Sequence, residues 1–547
     1  MSIVVTHGYL LTGTGSNLYV NNLVREYAKV GEDVCLLCQD PDPIDIDFVN
    51  EVYQFDSENN NYILKESKAS PFKGKVRVFQ PNLNGFLPVY VYDHYDGFEV
   101  KEFPNCSDEE VASYLNQNAK ALTKVVRDFN IKVVNTNHLV MFPSIATKVK
   151  EVLDFKHVIT VHGSALNFTV KKDKRFEEFA KDALSKAEEI VVDSLHADVE
   201  LKEFLDETGL SSLKEKVEII PAGVDVSSFD LPTASSEEMI SNFQKAIAKK
   251  VIGLKGRSIE QEQDVLYSNK ELKSILIDVD VLRKNYDYRH VDQHVVEKIE
   301  KLKTAEFKVM FVGKYLWTKG IYLILFAIPR ILKEYPNAQF VFVGFGPFRE
   351  PAEFIVNAIS RNKLSDLKTI LSEKAELFHG EDGANLPLIE SLIDENQLAL
   401  ESIVNSGIEI RNNITFTGIA AHKELVDLIP AMTSLIAPSV FPEAFGMVAI
   451  EAMACGVYPV LTYQSAFKEI SDEVIENLED FDLKINKVFL DRHASENIAS
   501  NIVNYFAYNK ELSEKGSLLG FKKVLRDVVL RNYSWEGIAQ KYLKTYS

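Results

Sequence analysis

Two carboxylates eight positions apart, Glu443 and Glu451, bracket the start of an apolar run in "SVFPEAFGMVAIEAMACGVYPVLT". The stretch after Gly446 predicts a helix that ends near Gly456, and "GVYPVLT" predicts a buried strand. An ionised Glu451 inside such a helix requires donors, since even a neutral polar group buried without them costs roughly 2–7 kcal/mol. Helical side chains lean toward the helix N-terminus, so Glu451 reaches back toward the end that Glu443 flanks. That end also offers the N–H groups of Phe445, Gly446, Met447 and Val448, which suit an anion. Amides for phosphates and carboxylates for hydroxyls together describe a grip on a nucleotide, with Glu451 on the ribose diol. The competing reading is a Glu451 satisfied by donors within the protein.

Cations follow the same logic. In "FVGKYLWTKG", Lys314 ends a strand and Lys319 precedes a helix opening at Gly320. Two positive charges beside a helix N-terminus suit a diphosphate; the alternative is a pair of solvated lysines. In "GYLLTGTGSNLYV", Gly13 and Gly15 precede a helix starting near Ser16 or Asn17, where bare backbone approaches an anion or a sugar closely. A plain strand–helix turn explains them equally. Gly344 and Gly346 in "FVFVGFGP" mark either a nucleotide-contacting turn or simply a tight one. His162, ending "HVITVH", and His7, ending "SIVVTH", are placed to face a ligand at strand ends, whereas His138 and His157 carry no supporting motif.

The elements that must position these residues alternate. "SIVVTHGYL", "DVCLLCQ", "KVVNTNHLV", "HVITVHGSA", "EIVVDS" and "VEIIPAGV" predict strands, separated by amphipathic helices such as "DEEVASYLNQNAKALTKVVRDFN". A second alternation begins near Phe307 with "FKVMFVGKY" and continues through "AQFVFVGFG", "NITFTG", "SLIAPSV" and "GVYPVLT". Strand–helix alternation implies βαβ units and parallel sheets, so the fold expected is α/β, with two Rossmann-like doubly wound halves in series. Ligands bind beyond the carboxyl ends of such strands, which makes the residues above the lining of a cleft between the halves. The expected division is residues 1–231 for the first half and 306–529 for the second, with a charged helical insertion at 232–305 and another at about 349–411. The insertions suit lids, partner surfaces or oligomer contacts. The amphipathic C-terminal helix, 530–547, needs to bury Trp535 and Tyr542 and is expected to return to the first half.

A chain of 547 residues exceeds one core. Its 61 basic and 80 acidic residues leave a net charge of -19, which disfavours nucleic acid and anionic membranes as broad partners. No apolar stretch reaches transmembrane length and none reads as a signal peptide; four cysteines in a chain this long make no disulfide framework, and a cytoplasmic, reducing location is expected. Cys35 and Cys38 form a CxxC without a second pair at zinc spacing, and read as two residues on a buried strand.

These segments, taken together, resemble family 4 retaining glycosyltransferases. "PSVFPEAFGMVAIEAMACGVYPV" is similar to their E-x7-E signature and "FVGKYLWTKGI" to their phosphate segment. "VITVHGS", "IIPAGVDVSSF", "VFVGFGP", "ITFTG" and "YSWEGIAQKYL" match in kind and order. The resemblance implies the GT-B fold and transfer of a hexosyl unit from a UDP-, GDP- or ADP-sugar to a hydroxyl acceptor with retention of configuration. It implies ribose contact by Glu451, sugar contact by Glu443, and amide contacts from Phe445, Gly446 and Met447. It further implies charge neutralisation by Lys314 and Lys319, a place for His162 near the transferred sugar, and Gly15 near the phosphates or acceptor. No cofactor and no metal are expected, and the insertions make a homo-oligomer a candidate assembly. Asp278 and Asp280 in "IDVDVL" have the spacing of a metal-binding pair but fall in the charged insertion. Two departures stand out: Lys314 where the family usually has Arg, and "TYQSAFKEI" without the usual paired glycines. A nucleotide-sugar-binding assembly subunit without catalysis, and an epimerase of the same fold, are the alternatives.

Overall fold

The computed structural model describes residues 2–11, 13, 15–90, 95, 97–250, 252–253, 266, 290–363 and 407–547. It divides into two compact units, Met1–Gly223 with Asn532–Ser547, and Val224–Arg531. Asp278 and Asp280 lie outside the described residues, as do residues 364–406 of the second expected insertion.

The first unit runs β1 (Ser2–Thr6), α1 (Gly15–Val30), β2 (Asp33–Leu37), β3 (Val49–Phe55), β4 (Tyr62–Ser67), β5 (Val76–Gln80), β6 (Phe86–Val89), β7 (Glu99–Glu102), α2 (Asp108–Asp128), β8 (Val133–Asn137), α3 (Phe142–Lys150), β9 (Lys156–Val161), α4 (Lys174–Lys186), β10 (Glu189–Val192), α5 (Leu195–Glu207) and β11 (Val217–Ile219). Among the described residues nine strands form one sheet in the order β11-β10-β9-β8-β1-β2-β5-β3-β4, parallel except for the β3–β4 pair. Central strands such as "SIVVT" and "HVITV" are β-branched and covered on both faces, which is why they read as continuous apolar runs. The sequence reading missed β3 to β7. β4 is an edge strand with five of its six residues exposed, so no apolar alternation betrays it. The C-terminal helix Trp535–Tyr546 lies on α1, where the Tyr542 and Tyr19 hydroxyls are 2.6 Å apart and the Tyr27 hydroxyl donates to that of Tyr546 at 2.8 Å.

The second unit contains α6 (Ser236–Ile247), β12 (Ile252–Gly253), β13 (Val291–Asp292), α7 (Val295–Thr304), β14 (Lys308–Val312), α8 (Ile321–Glu334), β15 (Gln339–Val343), α9 (Arg349–Ser360), β16 (Ile414–Phe416), α10 (His422–Leu428), β17 (Ser434–Ala437), α11 (Met447–Ala454), β18 (Tyr458–Leu461), α12 (Ser465–Asn477), α13 (Ala494–Glu514) and α14 (Leu518–Asn532). Its sheet is parallel, in the order β16-β15-β14-β17-β18.

The described ends of the charged stretch at 232–305 are built into this unit. α6 and α7 pack on each other, α6 also on α10 and α7 on β16, with Ile240, Phe243, Ile299 and Leu302 buried. α9 likewise is interior despite its charges. Arg349 is 2% exposed, donates to Asp292 at 2.5 Å and to Glu353 at 2.9 Å, and lies 4.2 Å over the Phe416 ring. Paired in this way, charged side chains are tolerated inside, which is why composition alone read this stretch as surface.

Candidate functional site

In both units the chain builds outward on one side of its first strand and then returns to the other side, which creates a switch point. In the second unit the chain runs β14, β15, β16 and then crosses back to β17, so the switch lies between β14 and β17. The loops leaving those two strands start at the carboxyl edge of the sheet, the edge at which open α/β sheets take ligands. Lys319 follows β14, and Glu443 follows β17.

Backbone contacts lock the two loops together. The Thr318 carbonyl accepts from the amides of Val440 at 2.8 Å and Phe441 at 3.3 Å. Gly320, at φ +65°, lies so close to Pro438 that a Cβ would sit 1.9 Å from its carbonyl oxygen. Lys319 is thereby brought against Glu443, Nζ to Oε1 at 2.5 Å, with both side chains partly exposed. The Ser439 hydroxyl donates to the same Glu443 oxygen. The loop that lacks the usual glycines completes the frame. The Ser465 hydroxyl accepts from the Glu443 amide at 2.9 Å, and Gln464 donates to the Ser439 carbonyl at 2.7 Å.

α11 starts beside this pair. Gly446, at φ +96°, forms its N-cap with Phe467 so close that a Cβ would lie 2.3 Å from the ring, and no side chain caps the first turn. The amides of Met447 and Val448 therefore open the helix at its positive end. Phe445 is buried just before the turn. Glu451 is 4% exposed, and the helix around it is buried from Ala449 to Ala454. Its partner is His422, the first residue of α10, whose Nε2 lies 2.5 Å from Glu451 Oε1. The Glu451 charge raises the His422 pKa above its usual 6.5, with burial opposing. An internal donor to Glu451 thus exists. The sequence reading did not find it because the two residues are 29 positions apart, and "AHKEL" looks like any amphipathic helix start.

Of the other residues named from sequence, Lys314 lies half-buried between β14 and the turn that carries Lys319. Gly344 and Gly346 lie hard against that same segment: a Cβ at Gly344 would sit 1.8 Å from the Gly313 carbonyl oxygen and one at Gly346 2.5 Å from that of Tyr315, and the Tyr315 amide donates to the Phe345 carbonyl at 2.6 Å. They brace the β14 loop from behind.

The remaining two, Gly15 and His162, belong to the first unit, whose switch point falls between β1 and β8. Gly15 is exposed at the first position of α1, one residue before the expected start, with nothing within 4 Å of a Cβ placed there. His162 directly follows β9; its Nε2 meets Asn137 Oδ1 at 3.0 Å, its Nδ1 is 3.9 Å from Asp193, and the Tyr19 ring lies edge-on at 5.1 Å. His7 bonds Asn17 at 2.7 Å, and burial pushes its pKa down to about 4. His138, which carried no motif, sits between the two, 5.7 Å from the His7 ring and 4.9 Å from that of His162. Both of its ring nitrogens are buried without a hydrogen-bond partner among the described residues. A positive φ of 70° after β8 turns it there, a signal not visible in composition. His157 is interior, bonded to Thr136 at 3.0 Å.

Comparisons with known proteins agree with this fold. The description "Glycosyltransferase Family 4" fits residues 13–228, and "Glycosyl transferases group 1" fits residues 405–510. The uncharacterized glycosyltransferase MJ1607 of Methanocaldococcus jannaschii is 22% identical over 241 residues, 44% of this chain and 45% of the relative. The chain thus spans about half the length of that curated relative. HepE of Anabaena in complex with UDP superposes with a TM-score of 0.53 at 12% identity, covering 100% of this chain and 99% of that one. Its complex with UDP-glucose gives 0.51 at 12%, with the same coverage. A glycosyltransferase from Rickettsia africae gives 0.50 at 14%, covering 100% of this chain and 97% of that one. At these identities the structural likeness is one of fold.

Proposed function

The chain belongs to the family 4 glycosyltransferases of the GT-B fold, and on that premise we propose that it moves a hexosyl unit from a nucleotide-diphosphate sugar to a hydroxyl of an acceptor, with retention and without a metal. The observation that carries this is the Lys319–Glu443 pair at the switch point of the second sheet, beside the uncapped start of α11.

The bond that breaks joins the anomeric carbon to the diphosphate. As it lengthens, negative charge grows on the leaving phosphate and positive charge on the sugar ring. Lys319, Lys314 and the amides of Gly446, Met447 and Val448 are the groups that meet the growing negative charge, the larger part of such catalysis. Glu443 accepts from sugar hydroxyls and Glu451 from the ribose. In the first unit, His162 contacts the transferred sugar and Gly15 leaves room for the phosphates or acceptor. The acceptor oxygen bonds the anomeric carbon on the face that the diphosphate leaves, and its proton passes to the departing phosphate oxygen. Glu443 is then no nucleophile. A cytoplasmic location belongs to the same reading and is supported by four unpaired, buried cysteines.

The test is incubation of the full chain with UDP-, GDP- and ADP-sugars, UDP-glucose first because HepE was solved with it. Slow release of nucleoside diphosphate, accelerated by a sugar acceptor, is the expected outcome. Tight binding without turnover under any acceptor makes the chain a binding subunit, and conversion of the free sugar nucleotide to its epimer makes it an epimerase; either result defeats the proposal.

A further inference from the structure

Glu451 is a nearly enclosed carboxylate on an apolar helix, and the side chain that meets it is His422 at 2.5 Å. The histidine is itself held. Its ring stands edge-on to Phe229, centroids 5.8 Å apart at 88°. The Phe229 carbonyl accepts from Arg526 at 2.9 Å, and the Val226 carbonyl accepts from the same guanidinium at 2.9 Å. That guanidinium also donates to the Ala454 carbonyl, at 2.8 Å, at the end of the helix that carries Glu451. One arginine therefore ties the wall behind His422 to the far end of α11, so the imidazole and the carboxylate keep a common frame.

We propose that His422 is a positioning residue for the nucleotide ribose: it fixes one oxygen of Glu451 and leaves the other lone pairs aimed at the ribose hydroxyls. The proposal rests on the assignment of Glu451 to the ribose. A carboxylate has two oxygens with about four lone-pair sites, so one imidazole N–H does not exhaust it. Held in place beforehand, Glu451 loses no rotamer freedom when nucleotide arrives.

The charge on His422 belongs to the device. The charged groups about it are Glu451 on α11, Lys423, Glu424 and Asp427 on α10, Lys250 paired with Glu424 at 3.2 Å, and Asp230 paired with Arg526 at 3.1 Å. Glu451 is the one that sets its protonation. His422 is cationic below its raised pKa and keeps only a neutral N–H above it.

The experiment compares binding of UDP, GDP or ADP, whichever binds, with that of its 2′,3′-dideoxy analogue, by calorimetry on the full chain. The ratio of the two affinities isolates the ribose hydroxyls and cancels titration of the phosphate. Glu451→Gln is expected to reduce that ratio most. His422→Ala and His422→Phe are expected to reduce it about tenfold, the scale of one charge-assisted hydrogen bond. His422→Gln, whose amide N–H replaces the imidazole donor, restores most of it. Affinity for the dideoxy analogue stays near the parent value in all three histidine variants; Tm holds in His422→Gln and falls in His422→Ala and His422→Phe, which take the imidazole donor from the buried Glu451, and should His422→Ala fail to fold, the Phe and Gln variants alone decide. In the parent the ratio declines as pH rises through the raised His422 pKa, and in His422→Gln it stays flat. A ratio lowered by Glu451→Gln but untouched by His422→Ala and His422→Phe overturns the role of His422 and leaves the ribose assignment standing. A ratio untouched by Glu451→Gln, or binding of none of the three nucleotides, overturns the assignment and the proposal with it.

Discussion

Lys319→Ala separates a ligand contact from a structural one. In the protein without donor, Lys319 is paired with Glu443 at 2.5 Å, and the two side chains are 32% and 19% exposed. Water screens a pair so placed, and its loss costs about 0–1 kcal/mol of stability. In a unit of this size that lowers Tm by roughly 1–3 °C. With donor bound, the lysine faces the diphosphate, and a hydrogen bond to a charged group contributes about 1.5–3 kcal/mol. The variant also leaves the Glu443 carboxylate without the lysine, with the Ser439 hydroxyl still donating to it, facing the incoming phosphate, which pushes the loss toward the upper end. The expected fall in kcat/KM is about 10- to 150-fold. Because phosphate charge grows as the bond breaks, kcat falls more than KM rises. Lys319→Arg keeps the charge and recovers part of the rate. The assay is release of nucleoside diphosphate from the donor selected by the panel, with Tm measured in parallel. Parent kcat/KM in Lys319→Ala, or a Tm fall beyond about 5 °C with unchanged donor use, would refute the reasoning.

Gly320→Ala acts on the frame instead of the charge: at φ +65° and 1.9 Å from the Pro438 oxygen, a methyl group forces the β14 and β17 loops apart. It is expected to cost more than 3 kcal/mol of stability and to reduce donor use further than Lys319→Ala does; urea unfolding with Tm and activity near those of the parent would contradict this. Acid sensitivity follows from the buried histidines, since burial pushes His7 to about 4 and His157 to about 3, below the usual 6.5. The unfolded chain takes up these protons first, so the stabilisation present above pH 6.5 is lost as pH falls toward those values, by about 2 kcal/mol for each between pH 7 and pH 5. Urea midpoints across that range should drop, and His157→Gln should shallow the slope; a level profile in the parent is the contrary result. The Cys35 and Cys38 thiols are buried and pushed up to about 12, so an aromatic disulfide reagent at pH 8 should label them only after unfolding. Stoichiometric labelling of the native chain within minutes would mean the strand is open.

The chemistry was legible where a motif is local in the chain. Glu443, Gly446 and Glu451 stand on one loop and one helix, and side-chain lean along a helix already relates them. The parallel order of both sheets follows from alternating apolar runs whose periods differ, 2 or continuous for strands and 3.6 for helices. Short edge strands such as β4 escaped, because exposed residues carry no burial signal. The enclosed charges of α9 escaped too, because a charge is written the same way whether water or Asp292 neutralises it.

By itself, the order of residues determined which groups are available and in which elements: two acids, two lysines and a helix start in the second half, histidines at strand ends in the first. Only the tertiary structure decided which of them meet. Lys319 touches Glu443 across 124 positions because the chain crosses its own sheet between β14 and β17 and backbone hydrogen bonds then join the two loops. Glu451 touches His422 because α10 runs into the short helical turn Ile429–Ala431, which packs against α11, and His138 turns between His7 and His162 through one left-handed residue. Such pairings depend on strand order and loop closure over long separations, and no local property of the chain encodes them.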